Sequence, residues 1–358
     1  MSSPKNRPHV SPLRATKETL HSSLQAITPS FPQPYFNPLG DDPSIVEHIF
    51  KGLHTRCTAL GRAIDPDRSI PKESALRSSR IDQLAGHFIP DVPPHVFRLN
   101  VAWMILLWMI DDTMDRAQSA TALSEATRIN GEHVLAVSKT MTVEPHAPPL
   151  AHFILDFCLA LQAASPRQDF FSHFQQTVSS WLLQGSFKLA SHRISGVRPS
   201  IEQHIRYRRW DGAADSCFAC MAYGYPNLPS QVLTDDDTEE LRKIASTHIG
   251  LLNDLISYEQ EITHSATQGH FCADSNLLET IMHEERCSFT EACDRLKTHL
   301  RALHVSYWER RATLRKRYHS LAAPARQATY SYMDHIGRFM QGNLVWSFAT
   351  DRYRSTQE

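Results

Sequence analysis

From about residue 43 onward, apolar residues recur three and four positions apart, the spacing that lays one stripe along a helix. Runs of strict alternation, which a half-buried strand needs, are scarce. The pattern predicts helices over roughly 43–63, 95–116, 119–139, 148–165, 167–192, 199–223, 235–263, 274–284, 288–318 and 322–349. Helix-ending residues separate them: Pro90, Pro93 and Pro94; Pro145, Pro148 and Pro149; Gly196 and Pro199; Pro226 and Pro229; and Gly269. The joints are short and no repeat of fixed period recurs, so residues 43–358 are expected to form one all-α domain. Residues 1–42 carry Pro4, Pro8, Pro12, Pro29, Pro32, Pro34 and Pro38. They are expected to be a poorly ordered lead-in or a strap over the domain surface.

Composition narrows the classes of function. Among 358 residues, 37 Lys+Arg stand against 38 Asp+Glu, a net charge of -1, so no nucleic-acid partner is expected. With 13 Gly, about half the usual share, a Gly-rich nucleotide fold is disfavoured. Residues 1–30 lack the apolar core of a secretory signal, and the longest apolar run, Val101–Ile110, is too short to span a bilayer. A cytoplasmic protein with no transmembrane segment is expected, its seven cysteines free thiols. Cys217-x-x-Cys220 has no second pair and lies in a helical pattern, which disfavours zinc. Twenty histidines are dispersed and form no metal-binding pair.

Two acidic sites change the picture. After the apolar stretch 99–107 comes Trp108-Met109-Ile110-Asp111-Asp112-Thr113-Met114-Asp115. Carboxylates thus gather at the C-terminal end of a core helix, where the macrodipole disfavours negative charge. Asp111 and Asp115 stand four apart on one face, a pair of oxygen donors suited to a hard cation such as Mg²⁺. The same residues would also serve as a solvated helix end or a cap for the next helix. On a later helix, Asn253, Ser257 and Glu261 fall at i, i+4 and i+8, each only about 40° further around the axis than the one before. An exposed face could carry such residues by chance, but here they follow the apolar Ile249-Gly250-Leu251-Leu252.

In order and spacing these motifs resemble the class I terpene synthases. Asp111-Asp112-x-x-Asp115 is similar to their aspartate-rich motif, and Asn253-Asp254-x-x-Ser257-x-x-x-Glu261 to their second metal motif. Arg208-Arg209-Trp210-Asp211-Gly212 resembles the diphosphate sensor Arg208, linker Asp211 and effector Gly212. Trp346-Ser347-Phe348-Ala349-Thr350-Asp351-Arg352-Tyr353 resembles the Arg352-Tyr353 diphosphate contact with pocket tryptophan Trp346 upstream. The likeness covers roughly 100–353, and the short lengths between motifs look most like microbial, especially fungal, sesquiterpene synthases. One position departs: Gln260 stands where many relatives place a diphosphate-binding Lys. Lys188 and Arg193 are possible substitutes that no motif supports.

The resemblance implies a single-domain helical bundle around a central apolar cavity. It implies Mg²⁺, three ions together with substrate diphosphate, held by Asp111, Asp115, Asn253, Ser257 and Glu261. The expected reaction is ionisation and cyclisation of a linear prenyl diphosphate, farnesyl diphosphate first, to a sesquiterpene hydrocarbon or alcohol. Arg208, Arg352 and Tyr353 would bind the diphosphate; Trp108 and Trp346 would face the cation, with Trp181, Phe187 and Phe348 as weaker candidates. A monomer or homodimer is expected. Two other readings stay open: a chain-elongating prenyltransferase and a catalytically inactive helical binding protein. Asp235-Asp236-Asp237 mimics a second aspartate-rich motif, but it opens a helix and reads as a cap. No DxDD motif is present, which disfavours protonation-initiated cyclisation.

Overall fold

Pro94 opens the central helix, where its missing N–H costs nothing, and the residues after it are apolar on nearly every face. In the computed structural model that helix is buried accordingly, with Val101, Trp103, Ile105 and Ile110 inaccessible to solvent. The structure describes residues 17–28 and 79–350, apart from 116, 118, 146, 148 and 269–275. In chain order the helices are α1 (Lys17–Gln25), α2 (Ile81–Phe88), α3 (Pro94–Asp115), α4 (Ala120–Asn130), α5 (Ala136–Thr140), α6 (Pro149–Ala164), α7 (Gln168–Ser180) and α8 (Phe187–Ser195). After them come α9 (Ile201–Asp211), α10 (Ala214–Ala222), α11 (Ser230–Thr234), α12 (Asp236–Gln268), α13 (Leu277–Glu285), α14 (Phe289–Arg317) and α15 (Ala323–Ala349). Among the described residues there is no strand, and no helix is long and apolar enough to cross a membrane.

The α3 helix packs against α2, α4, α6 and α10, and the Trp103 indole N–H reaches across to Ser216 Oγ at 2.8 Å. The long α12 helix lies against α9, α10, α14 and α15, so α3 and α12 both pack on α10. Beneath α12 a second apolar cluster gathers Leu251, Leu252, Leu255, Leu278, Leu300 and Leu344. The α1 segment, from within the Pro-rich lead-in, closes that cluster with Leu24 and Ile27. It is fastened there by His248, whose Nε2–H donates to Ile27 O at 3.1 Å.

The elements depart from the sequence reading at specific places. The helix expected over 119–139 carries a π-turn at Gly131–Leu135, and that over 167–192 carries one at Trp181–Ser186. The helix expected over 199–223 is broken after Asp211. Helix α2 was not anticipated although its Ile81, Leu84, Ala85 and Phe88 sit at helical spacing and are buried; eight residues just ahead of Pro90, Pro93 and Pro94 give little signal. The helix expected over 43–63 lies outside the described residues.

Burial holds three histidines neutral: it lowers His248 to about 4, and His173 and His335 to about 3. An unfolded His titrates near 6.5, so between pH 6.5 and 4 the unfolded chain binds more protons, and stability falls as pH falls. For His248 the loss between pH 7 and 5 is roughly 2 kcal/mol. Unfolding in urea at a series of pH values should show this slope, and His248→Gln should make it shallower.

Candidate active site

The C-terminal turns of α3 expose carbonyls that have no partner within the helix. Among them Met114 O accepts from Arg193 of α8 at 3.3 Å, and one turn earlier Ile110 O, already bonded by Thr113 Oγ1, lies 3.4 Å from Asn130 Nδ2. The Arg193 guanidinium also lies 3.6 Å from Asp115 Oδ1. Only 7% of Arg193 is exposed, so a buried cation sits where the helix dipole and the carboxylates both call for one. Lys188, the other possible substitute for the missing Lys, is exposed, and Gln260 is half-buried.

The second site occupies one stripe of α12. Ser257 Oγ lies 2.8 Å from Asn253 O and 2.5 Å from Glu261 Oε1, so its single hydrogen can serve either oxygen. Asn276, the N-cap of α13, holds the other Glu261 oxygen at 3.0 Å and donates to Asp254 O at 2.8 Å. The Ser257 hydroxyl and the Glu261 carboxylate thus meet beside the Asn253 backbone carbonyl, while the Asn253 side-chain oxygen accepts from Arg208; together these oxygens are a donor set fit for a hard divalent cation. Among the described residues no three His, Cys, Asp or Glu side chains gather as a metal group, so a cation held here would need amide and hydroxyl oxygens beside Glu261.

Arg208 joins the two halves. It donates to Asp211 Oδ2 and, at 2.6 Å, to Asn253 Oδ1, and its Nε stands 3.0 Å from Asp254 Oδ1. Burial by itself would lower the pKa of Arg208, but Asp254, Asp211, Glu261 and Asp111 outweigh it and raise the value, keeping the group charged. Asp111 and Glu261, from the two sequence motifs, thus act on one cation. Burial pushes the Asp254 carboxyl up to about 7 against the pull of Arg208, with Glu261 and Asp211 adding to the rise.

The chain breaks just beyond Asp211, between α9 and α10. The left-handed residue is Ala213, at φ 54°, whereas Gly212 has φ -66° and ψ -2°. A Cβ on Gly212 would meet Arg208 O and Gly250 Cα at an ordinary 3.8 Å. A glycine is sterically required instead at Gly250 on α12, where a Cβ would lie 2.9 Å from Arg208 O and 3.0 Å from Arg208 Cγ. Past the break, Asp215 in the first turn of α10 accepts from Ser246 Oγ of α12 at 2.9 Å. One long helix thus grips the break on both sides.

The Trp108 and Trp346 rings lie 5.1 Å apart, Trp108 half-buried beside Asp111. Trp346 is only 2% exposed and its indole N–H donates to Ser79 O at 2.7 Å, so it stands behind Trp108. Of the weaker aromatic candidates, Trp181 is in the core against Trp103, Phe187 packs on α4 near Gly131, and Phe348 meets His21 of α1. Arg352 and Tyr353 lie outside the described residues. Asp235 caps α12, its Oδ1 accepting from Asp237 N at 3.0 Å and Thr238 N at 3.1 Å, as the sequence reading expects. Burial pushes the Cys217 and Cys220 thiols up, away from the thiolate that a metal takes. Sequence reasoning missed Asp254 as the buried partner of Arg208 and Gly250 as its seat. The apolar run before Asn253 was the available signal for both.

These contacts separate two glycines by experiment. Gly212→Ala should fold with an unchanged or slightly raised midpoint in thermal unfolding. Gly250→Ala should lose about 1–3 kcal/mol, because Arg208 backbone must give way.

The family model for terpene synthase family 2, C-terminal metal binding, matches residues 102–305, which include Asp111, Asp115, Arg208, Asn253, Ser257 and Glu261. The chain is 26% identical over 293 residues to a pristinol synthase of Streptomyces pristinaespiralis, covering 77% of this chain and 73% of the relative. It is 26% identical over 289 residues to a viridiflorene synthase of Cyclocybe aegerita, covering 77% of this chain and 69% of the relative. These relatives are bacterial and fungal alike, so the similarity does not single out a fungal origin. A solved hedycaryol synthase structure superposes with a TM-score of 0.67 over 89% of this chain and 97% of that one, at 20% identity, a likeness of fold. By the family match over most of its length, the chain belongs to terpene synthase family 2, the class I terpene synthases with a divalent-metal-binding helical domain.

Proposed function

We propose that the chain ionises and cyclises a linear prenyl diphosphate, with farnesyl diphosphate the first substrate to test and a sesquiterpene hydrocarbon or alcohol the product. The observation that carries this reading is Arg208, a buried cation hydrogen-bonded at once to the linker Asp211 and to Asn253 of the second oxygen-rich stripe. Asp111 and Asp115 on α3, with Asn253, Ser257 and Glu261 on α12, would hold Mg²⁺, in our reading three ions. Bound there, the metal would supply Lewis acidity to the departing diphosphate.

The protein groups would do the rest. Arg208, able to donate from several N–H groups, would turn from Asn253 to the diphosphate oxygens. Arg193 would add the positive charge that Gln260 does not, and Arg352 with Tyr353 would complete the clamp. Releasing Arg208 from Asp211 would let the break at 212–213 move and present the Gly212 carbonyl to the reacting carbon. Half-buried Trp108 would offer a ring face to the carbocation, with Trp346 holding it from behind. Excluding water from that space would decide whether the cation survives to cyclise. The donor set of the second motif is Asn, Ser and Glu rather than a second aspartate-rich cluster, which favours cyclisation over chain elongation.

Incubating the purified protein with Mg²⁺ and farnesyl diphosphate should release diphosphate and yield a cyclic C15 product by gas chromatography–mass spectrometry. Adding isopentenyl diphosphate should give no longer diphosphate. Failure to release diphosphate from geranyl, farnesyl and geranylgeranyl diphosphates would overturn the proposal in favour of a helical binding protein. Asp111→Asn and Glu261→Gln should each lower turnover on the order of a hundredfold or more. Trp108→Leu should redistribute products while diphosphate release stays within about tenfold of the parent.

A further inference from the structure

Between α7 and α8 the residues Trp181–Ser186 take π-turns. Such a turn inserts one extra residue and rotates everything beyond it relative to the preceding helix, at some cost in hydrogen-bond geometry. Here the rotation presses the 185–186 segment against the end of α9. A Cβ on Gly185 would lie 2.4 Å from Asp211 N and 2.8 Å from both Asp211 Cα and Trp210 C, so only a glycine lets the two backbones approach this closely.

The next residue adds a bond. A helical serine commonly returns its hydroxyl to a carbonyl one turn back. Ser186 instead donates across the interface to Asp211 Oδ1 at 2.8 Å, and it is buried, 4% exposed. The other Asp211 oxygen accepts from Arg208. One carboxylate is therefore divided between a guanidinium that also serves Asn253 and a hydroxyl with a fixed place in a bulge.

We infer that Gly185 and Ser186 are positioning residues, the seat on which the break at 212–213 turns. While Arg208 exchanges partners, Ser186 retains Asp211, so the break moves about a held end instead of drifting with the arginine. This inference rests on the function proposed above. Neither residue touches substrate; both act through Asp211.

Ser186→Ala removes the donor without adding volume. Expected are a kcat lower by about tenfold with KM little changed, and recovery in Ser186→Thr, which restores a hydroxyl. In an Asp211→Ala background, Ser186→Ala should cost nothing further, since residues acting through one contact are not additive. A urea double-mutant cycle on Ser186 and Asp211, without substrate, reads the contact itself and should also be non-additive. Gly185→Ala should lower the unfolding midpoint. A kcat within about twofold of the parent, a rise in KM alone, or the same loss with and without Asp211 would overturn the inference. If Asp211→Ala itself keeps full turnover, the role proposed for the break falls and the seat with it. If Asp211→Ala is impaired while Ser186→Ala is additive to it, the seat alone falls.

Discussion

A guanidinium withdrawn from bulk water keeps its proton, so the chain around Arg208 has to answer a permanent positive charge. It does so with Asp254 and Asp211 in direct contact and with the Asn253 amide oxygen. Breaking such a buried pair from one side leaves an uncompensated charge, which is why the surroundings are fixed so closely. Gly250 clears space for the arginine, Asn276 restrains Glu261, and the 185–186 bulge holds Asp211. The arrangement contributes geometry more than stability: apolar residues of the same volume would pack here at less cost in desolvation. What apolar residues could not do is keep two acid-bearing helices facing one another.

The same requirement is met differently at α3. Its C-terminal end collects Asp111 and Asp115 where the macrodipole already opposes negative charge. Arg193 pairs with Asp115 and caps the Met114 carbonyl in one stroke. Arg193 and Ser186 stand seven residues apart in sequence, so they fall on similar faces of the 168–195 region. That region therefore touches the aspartate-rich end with one side chain and the broken helix with another.

Helix content, the two oxygen stripes and the capping role of Asp235 were legible because each depends on spacing along a single helix. Asn253, Ser257 and Glu261 share a face whatever packs on them. The left-handed Ala213 was not legible: alanine takes that conformation only where its surroundings enforce it. The π-turns were equally silent, since one inserted residue barely disturbs an apolar periodicity while it changes which residue meets a neighbour. Trp346 reads like a pocket residue in a motif, but its indole N–H is committed to Ser79. Contacts such as Ser186 with Asp211 bridge separate helices, and nothing local in either segment announces them.

The α1 strap has a practical bearing on how the protein is handled. Its Leu24 and Ile27 close an apolar cluster that includes Leu251, Leu252 and Leu255, the residues that flank Asn253 along α12. A truncation that begins after residue 28 would strip the cover from the underside of the helix carrying the second oxygen stripe. Trimming or tagging near the start of the chain thus amounts to editing the packing that backs the helix of Asn253, Ser257 and Glu261.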